Sequence, residues 1–446
     1  MIKKNDDLEV NISDIGYEGE GIAKIDGYTT FVKGGLKGEK VKIKMLKVNK
    51  DYGFAKLVEV LEKSEERDEP ICSVFGKCGG CSLQHINYEA QLDYKTNTVR
   101  NTLRKALGYD VDVEQTIGMG IPYNYRNKAQ YPVVDDKIGF FAGRTHALIE
   151  NEKCYIQNET SDKLAKDAFK ILRKYNISSY NEKSGKGCLR HIITRIGIHT
   201  GELMLVLVTN EKNIRHTDEI VSELTKEYPT LKSIIQNVNM QNTNVILGNE
   251  CVTLYGQEYI TDILGEYKFK ISPLSFYQVN PVQTEVLYNI AKEYANLQGT
   301  ETVFDLYSGI GTISIFIADN AKKVYGVEVV EQAVFDAKEN AEINEIRNVE
   351  FIQGEAEVIV PEMYKEGKKA DVVFVDPPRK GCDEKLLETI KAMKAQKVVY
   401  ISCNPATLAR DLKYLTDNGY EIKKVQPVDM FPQTSHVENV VLLEKI

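Results

Sequence analysis

A cysteine and a glutamate near the end of the chain occupy positions suited to a nucleophile and a base. Cys403 ends an apolar strand, KVVYISC (397–403), just before a proline and a helical stretch. Ligands bind at the carboxyl ends of strands in open α/β sheets, which distinguishes Cys403 from an ordinary buried cysteine. Glu438 begins a strand of Val and Leu, where a carboxylate either faces solvent or lies at an active-site rim with a raised pKa. The pair predicts covalent catalysis assisted by a general base.

A glycine-containing loop lies at the same predicted edge. DLYSGIGT (305–312) follows a strand and opens a helix, and Gly309 and Gly311 permit a sharp turn close to a ligand. Glu328 ends the next strand, where an acid binds ribose hydroxyls in nucleotide-binding sheets. The third glycine of the dinucleotide motif is missing, which disfavours a dinucleotide. The pattern instead resembles the S-adenosylmethionine loop of class I methyltransferases.

Two consecutive prolines follow Asp376 in VDPPRKG (375–381) and fix an extended turn at the end of another strand. Enzymes that methylate exocyclic nitrogens typically have an aromatic residue after these prolines. Arg379 stands there instead, which argues against nitrogen chemistry. Asp376 either caps the turn or contacts the base that is modified.

A cysteine, a carboxylate and a methyl donor together fit the methylation of uracil at C5. Thiolate addition to C6 makes C5 nucleophilic, and a base then removes the C5 proton after methyl transfer. The nucleotide must leave its stack to reach such a pocket. In SFYQVN (275–280), Phe276 could stack on the base and Gln278 could hydrogen-bond to its edge, although both residue types also occur in ordinary helix-entry loops.

Four cysteines have the uneven spacing of a metal or cluster site: Cys72, Cys78, Cys81 and Cys154. Paired C-x2-C units would favour zinc, and C-x3-C-x2-C would suggest radical chemistry, but neither pattern is present. The spacing alone leaves zinc and [4Fe–4S] open.

Composition restricts the class of protein. The 446 residues include 57 Lys and Arg and 65 Asp and Glu, a net charge of -8, so a polyanion site must be local. The charged start and the short apolar runs predict neither a signal peptide nor a membrane span. We therefore expect a soluble cytoplasmic protein in which the eight cysteines are not disulfide-bonded.

The patterns of predicted strands and helices divide the chain into three regions. Residues 1–63 predict a small β-barrel, residues 70–270 an α+β domain, and residues 271–446 a doubly wound, Rossmann-like α/β domain. Residues 33–50 contain seven lysines and one acid. These lysines either keep an edge strand soluble or follow a phosphate backbone.

FYQVN, DLYSGIGT, VDPPRKG, SCNPATLARD and HVENVVLLEK occur in the order of a known family. The chain resembles the RNA uracil-5-methyltransferases over essentially its whole length. The similarity is greatest to the 23S ribosomal RNA branch, which has an N-terminal TRAM domain and an iron–sulfur cluster.

The resemblance implies Cys403 as nucleophile, Glu438 as general base and a [4Fe–4S] cluster on the four cysteines. The cluster would fold the middle domain and hold RNA, since the chemistry needs no electron transfer. The implied cofactor and uracil site contains Asp305, Tyr307, Gly309, Gln278, Glu328 and Asp376. YRNKAQ (125–130) places Arg126 and Lys128 near RNA, and the barrel lysines expected to contact RNA are Lys40, Lys42, Lys44 and Lys47. The expected partner is a flipped uridine of 23S ribosomal RNA, and nothing requires more than a monomer.

Three alternatives remain at this point. The same reaction on tRNA is opposed by the barrel and the complete cysteine set. A non-catalytic, metal-stabilised RNA-binding protein is opposed by the presence of Cys403 and Glu438. A nitrogen- or cytosine-methylating enzyme is opposed by Arg379 and by the lack of a Pro-Cys nucleophile motif.

Overall fold

The N-terminal strands form a closed barrel in the computed structural model, which describes residues 2–143 and 145–446. The strands are β1 (Asp7–Ile15), β2 (Gly21–Ile25), β3 (Tyr28–Lys33), β4 (Lys40–Val48) and β5 (Tyr52–Glu62). Their order around the barrel is β1-β2-β3-β5-β4. In β4, buried Val41, Ile43 and Met45 alternate with exposed residues, the period-two pattern of a strand with one buried face. The predicted N-terminal barrel is confirmed.

The middle of the chain is built around an antiparallel-rich sheet. Its elements are α1 (Tyr88–Leu107), β6 (Lys128–Val134), β7 (Lys137–Ile138), β8 (Phe140–Phe141), β9 (Leu148–Ile149), α2 (Glu159–Lys174), β10 (Leu189–Ile196), β11 (Leu203–Thr209), α3 (Thr217–Glu227), β12 (Leu231–Val238), β13 (Glu250–Gly256), β14 (Ile260–Leu264) and β15 (Tyr267–Ile271). The sheet has the order β13-β12-β11-β10-β6-β7, with β8-β9 and β14-β15 as separate pairs. Leu164 and Leu172 of α2 and Leu224 of α3 pack on buried strand residues in one core.

The C-terminal region alternates strands and helices as predicted. Its elements are α4 (Pro281–Ala295), β16 (Thr302–Leu306), α5 (Thr312–Ala318), β17 (Lys323–Glu328), α6 (Glu331–Ile343), β18 (Val349–Gln353), α7 (Ala356–Lys365), β19 (Val372–Val375), α8 (Glu384–Met393), β20 (Lys397–Ser402), α9 (Pro405–Thr416), β21 (Tyr420–Val428) and β22 (Glu438–Lys445). The sheet order is β18-β17-β16-β19-β20-β22-β21. β16 to β20 pair in parallel, and β22 is antiparallel to β20. Apolar cores cover both faces, which confirms the doubly wound α/β fold.

Helix α1 packs on this C-terminal sheet, although the predicted central domain, residues 70–270, includes it. Val99 and Leu103 of α1 share a core with Leu408 and Leu412 of α9. Lys95 of α1 is fully buried and donates to the buried carboxylate of Asp429, between β21 and β22. Removing one partner of such a pair leaves an uncompensated buried charge, so the pair fixes α1 against the segment that leads to β22.

Within the described ranges, no helix combines the length and apolar character that a membrane crossing requires.

Candidate active site and cysteine-lined cavity

Strand pairing brings the predicted nucleophile and base together. Ser402 at the end of β20 pairs with Asn439 in antiparallel β22. Continuing this register by one residue places Cys403 opposite Glu438. The amide of Asn439 donates to the carbonyl of Ser402 at 3.2 Å and fixes the two strand ends. Glu438 is buried and Cys403 is partly exposed, so the thiol is the more accessible of the two groups.

The loop after Cys403 is joined to the loop after Asp376. Asn404 caps α9 by accepting from the Ala406 amide at 3.0 Å. The Asn404 side chain also donates to the Arg379 carbonyl at 3.1 Å, and the Thr407 hydroxyl donates to the same carbonyl at 3.2 Å. Arg379 is exposed, and its side chain lies 3.5 Å from the ring of His436. The DPPRK turn therefore lies beside the nucleophile loop at the carboxyl edge of the sheet.

The pKa values of the central groups are strongly perturbed. Burial, together with the charge of Asp376, raises the pKa of Glu438 to about 8, and the Arg379 guanidinium opposes this rise. Burial and the neighbouring Asp305 raise the pKa of Asp376 to about 7. The pKa of the Cys403 thiol rises to about 11 because of burial and the carboxylates of Glu438 and Asp376, again opposed by Arg379. Carboxyl groups with pKa values near neutrality are suited to accept and return protons.

The glycine loop after β16 contains three residues with positive φ. Gly309 has φ +54°, and a Cβ there would meet no described atom within 4 Å, so the backbone borders open space. Gly311 has φ +82°, and a Cβ there would lie 2.6 Å from the ring of Phe351. Tyr307 adopts φ +67°, an unusual conformation for a side-chain-bearing residue that is often retained at functional sites. Its hydroxyl donates to Glu357 at 3.2 Å.

Two acidic residues, Asp305 and Glu328, accept hydrogen bonds from this loop or from the elements that follow it. Asp305 is fully buried; one oxygen accepts from Ser314 at 2.5 Å, and the other has no partner among the described residues. Glu328 accepts from the amides of Gly309 at 3.0 Å and Val330 at 2.8 Å. A bent loop, open space beside it and an acid at the end of β17 fit the ribose and amino-acid ends of S-adenosylmethionine.

The segment SFYQVN lies between the central and C-terminal sheets. Phe276 is 67% exposed, whereas Gln278 is buried. The amide of Asn127 donates to the Gln278 carbonyl at 3.0 Å, and Asn280 donates to the Met430 carbonyl at 3.1 Å. The buried guanidinium of Arg195 donates to the Ser275 carbonyl at 2.5 Å. Hydrogen bonds with both neighbouring regions thus fix the backbone of the segment SFYQVN, while the Phe276 ring remains exposed to solvent.

The four predicted metal-binding cysteines line one cavity of about 350 Å³. All eight cysteines of the chain are free thiols. Burial raises the pKa of Cys81 to about 12 and of Cys154 to about 11. Across residues 2–143 and 145–446, no group of three or more His, Cys, Asp or Glu is arranged to hold a metal ion. The four thiols border one shared space.

Arg126 and Lys128 line the same cavity. Arg126 Nε is buried and has no hydrogen-bond partner in the described chain. Burial, Arg195 and Arg126 lower the pKa of Lys128 to about 7. Both side chains line the cysteine cavity, a placement that the motif YRNKAQ alone does not indicate.

Two contacts to the active-site edge were not predicted from the sequence. The amides of Ser82 and Leu83, directly after Cys81, both donate to the Gln433 carbonyl at 3.0 Å. The Ser435 amide donates to Ser82 Oγ at 3.0 Å, which ties the cysteine loop to the residues that precede Glu438. These pairs are about 350 residues apart in the chain, and no local sequence signal marks them.

The second contact joins helix α1 to residues 16–20, which form the turn between β1 and β2 of the barrel. The Tyr94 hydroxyl of α1 donates to the carbonyls of Gly16 and Tyr17, at 2.9 and 2.7 Å. Tyr17 remains about half exposed, and Arg379 and Cys403 are close enough to act on the pKa of its hydroxyl. The glycines of GYEGEG predict only a turn at this place.

Comparison with known proteins agrees with this geometry. The model of the tRNA (Uracil-5-)-methyltransferase family matches residues 215–446, and the TRAM domain model matches residues 3–58. The chain belongs to the RNA uracil-5-methyltransferase family. The predicted methyl donor, S-adenosylmethionine, and the predicted TRAM domain are confirmed, and the chain is an RNA methyltransferase.

Relatives within the family match over their full length. An uncharacterized RNA methyltransferase of Clostridium tetani is 50% identical, with 99% of this chain and 97% of the relative covered. One from Listeria monocytogenes serotype 4b is 52% identical, with 99% and 98% covered. The crystal structure of the Pyrococcus abyssi tRNA (uracil-54, C5)-methyltransferase in complex with S-adenosyl-L-homocysteine has a TM-score of 0.79 and 29% identity. It covers 98% of this chain and 99% of its own.

Proposed function

We propose that the protein methylates C5 of a uridine in 23S ribosomal RNA through a covalent adduct between Cys403 and C6 of the base. The observation that supports the reaction is the pairing of Ser402 with Asn439, the neighbours of Cys403 and of the buried Glu438. The assignment of ribosomal RNA as the substrate rests on the residues of the five sequence motifs and on their order in the chain. The likeness to the Pyrococcus abyssi tRNA (uracil-54, C5)-methyltransferase, which covers 98% of this chain, favours tRNA as the second candidate.

The residues predicted at the edge of the C-terminal sheet have distinct roles in this reaction. Deprotonated Cys403 forms the S–C6 bond, and the C5–C6 electron pair moves toward O4, which makes C5 nucleophilic. S-adenosylmethionine supplies an electrophilic methyl group when bound at Glu328, Asp305, Tyr307 and Gly309. After methylation, Glu438 removes the C5 proton, and the returning electrons expel the Cys403 thiolate. Asp376 and Gln278 orient the base.

Phe276 would receive the flipped base, since its ring is exposed and its backbone is fixed. Stacking on such a ring compensates for part of the stacking lost when the nucleotide leaves its strand. This arrangement requires a single-stranded or loop uridine.

We expect deletion of the gene to remove 5-methyluridine from 23S ribosomal RNA and to leave tRNA unchanged. The measurement is mass spectrometric mapping of both RNA pools, with the complemented strain as control. Loss of the modification from tRNA alone would instead establish the second candidate. Retention of 5-methyluridine in both pools would contradict the proposal.

We further propose that Cys72, Cys78, Cys81 and Cys154 hold a [4Fe–4S] cluster. Four thiols around one cavity support this, and the Arg126 guanidinium on its wall favours a group with negative charge. The cluster would also stabilise the loop 72–83, whose amides contact Gln433.

Protein purified without oxygen is expected to be brown and to contain about four irons per chain. Cys81→Ser should lose most of the iron and sulfide, whereas Cys251→Ser, which alters an exposed cysteine outside the cavity, should retain them. One zinc per chain without sulfide would refute the cluster.

A further inference from the structure

Three aromatic rings form a patch on the outside of the barrel. Phe31 of β3 and Phe54 of β5 are paired across the parallel strands, and their rings stack at 5.6 Å. Tyr52 meets both rings edge-on, at 6.0 Å from Phe31 and 5.6 Å from Phe54. The Tyr52 side chain is 43% exposed, and the two phenylalanines are partly exposed. The barrel interior has its own apolar core, so these rings are not needed to fill it.

Lysines flank the aromatic patch in register. Phe54 pairs with Lys47 of β4, and one step along the sheet Lys56 of β5 pairs with Lys33 of β3. Lys47 and Lys56 form no ion pair with a carboxylate of residues 2–143 or 145–446. This face therefore combines exposed rings with uncompensated positive charge.

The other lysines of β4 have acidic neighbours, although Lys44 also pairs in register with Lys56. Lys40 lies 3.6 Å from Glu9 and Lys44 lies 4.0 Å from Asp7. Lys42 pairs in register with Glu9 on one side and Glu59 on the other. Neighbouring acids reduce the potential that a phosphate meets there, so the four predicted lysines are not equivalent.

We propose that Phe31, Tyr52 and Phe54 form a stacking platform for single-stranded RNA, with Lys47 and Lys56 on the adjacent phosphates. Aromatic rings beside a positively charged track are the usual means of binding single strands without reading their sequence. The proposal rests on the RNA substrate of the proposed function and adds a second contact, remote from the methylated uridine.

The platform also has a defined place relative to the active site. Lys33, at the end of β3, donates through Nζ to the Gly76 carbonyl at 2.9 Å. Gly76 belongs to the loop that carries Cys72, Cys78 and Cys81. RNA on the platform would therefore continue toward the cysteine cavity and the segment SFYQVN. The enzyme is expected to need single-stranded nucleotides flanking its target.

The absence of tryptophan from the sequence gives a direct test. Tyr52→Trp introduces a single indole at the platform, and a 12-nucleotide oligoadenylate should quench its fluorescence by stacking. A duplex RNA of equal length should quench much less, because its bases are already stacked. Phe31→Ala in the same background should weaken binding about tenfold or more while leaving the salt dependence unchanged.

The charge contribution is measured separately. The double variant Lys47→Gln/Lys56→Gln should reduce the slope of log affinity against log salt by about 1.4, the value for two phosphates of a single strand. The matched double variant Lys40→Gln/Lys42→Gln should change it less. Equal effects of the two pairs, or no quenching of Tyr52→Trp by the oligoadenylate, would overturn the platform.

The outcome is independent of the methylation assay. Methyl transfer to ribosomal RNA without quenching would refute the platform and leave the proposed function intact. Quenching without methyl transfer would support the platform and refute the ribosomal substrate.

Discussion

Replacing Cys403 by alanine is expected to abolish methyl transfer while RNA and S-adenosylmethionine still bind. Without the thiol no S–C6 bond can form, so C5 never becomes nucleophilic. Denaturing electrophoresis should show no protein–RNA band. The matched control is Cys251→Ala, because Cys251 is a thiol of the central sheet outside the active site. Methyl transfer by Cys403→Ala would refute the covalent mechanism.

Glu438→Gln should fail at a later step. This variant retains the nucleophile, so it should attack and methylate the base and then stop, since the C5 proton remains in place. A band carrying the transferred methyl group should survive denaturation, and turnover should fall by about 10²–10⁴-fold, the usual contribution of a general base. Normal turnover would show that the carboxylate of Glu438 is structural.

The sequence was sufficient to predict the fold and to predict which edge of the C-terminal sheet carries the candidate site. Alternating apolar strands and helices after residue 275 dictate a parallel sheet, and loops at carboxyl ends of such strands meet at one edge. Cys403, Asp376 and Glu328 each follow or end a strand, so their common location is a consequence of topology. Barrel closure likewise follows from short strands with one apolar face.

Sequence patterns could not predict contacts between segments that are distant in the chain. The helical periodicity of α1 identifies its apolar face but not the sheet that it covers. The Lys95–Asp429 pair joins residues 334 positions apart, and the Tyr94 contact to the barrel turn joins different regions of the chain. The lysine-rich strand β4 shows the same limit. Its composition suggests one basic surface, but the acids opposite Lys40 and Lys44 become visible only from strand pairing.

Removing the charge of Arg379 is expected to move the pH dependence of turnover to higher pH. Glu438 must be deprotonated to accept the C5 proton, and its pKa in the free protein is about 8. Below that pH, turnover should fall as the pH decreases, because protonated Glu438 cannot accept the C5 proton. Arg379 lowers the pKa of both Glu438 and Cys403, so its loss raises both and shifts the profile in one direction.

The test is the release of tritium from RNA that contains [5-³H]uridine, measured between about pH 6 and 9 for Arg379→Gln and Arg379→Lys. Arg379→Lys keeps a positive charge beside the carboxylate and should retain most of the original profile. Lys380→Gln removes the neighbouring exposed charge, which is not among the causes of either pKa shift, and should change the profile much less than Arg379→Gln. A profile that stays in place when Arg379 is neutralised would mean that another group limits turnover. In that case the pKa of Glu438 would have to be set by burial and Asp376 without Arg379.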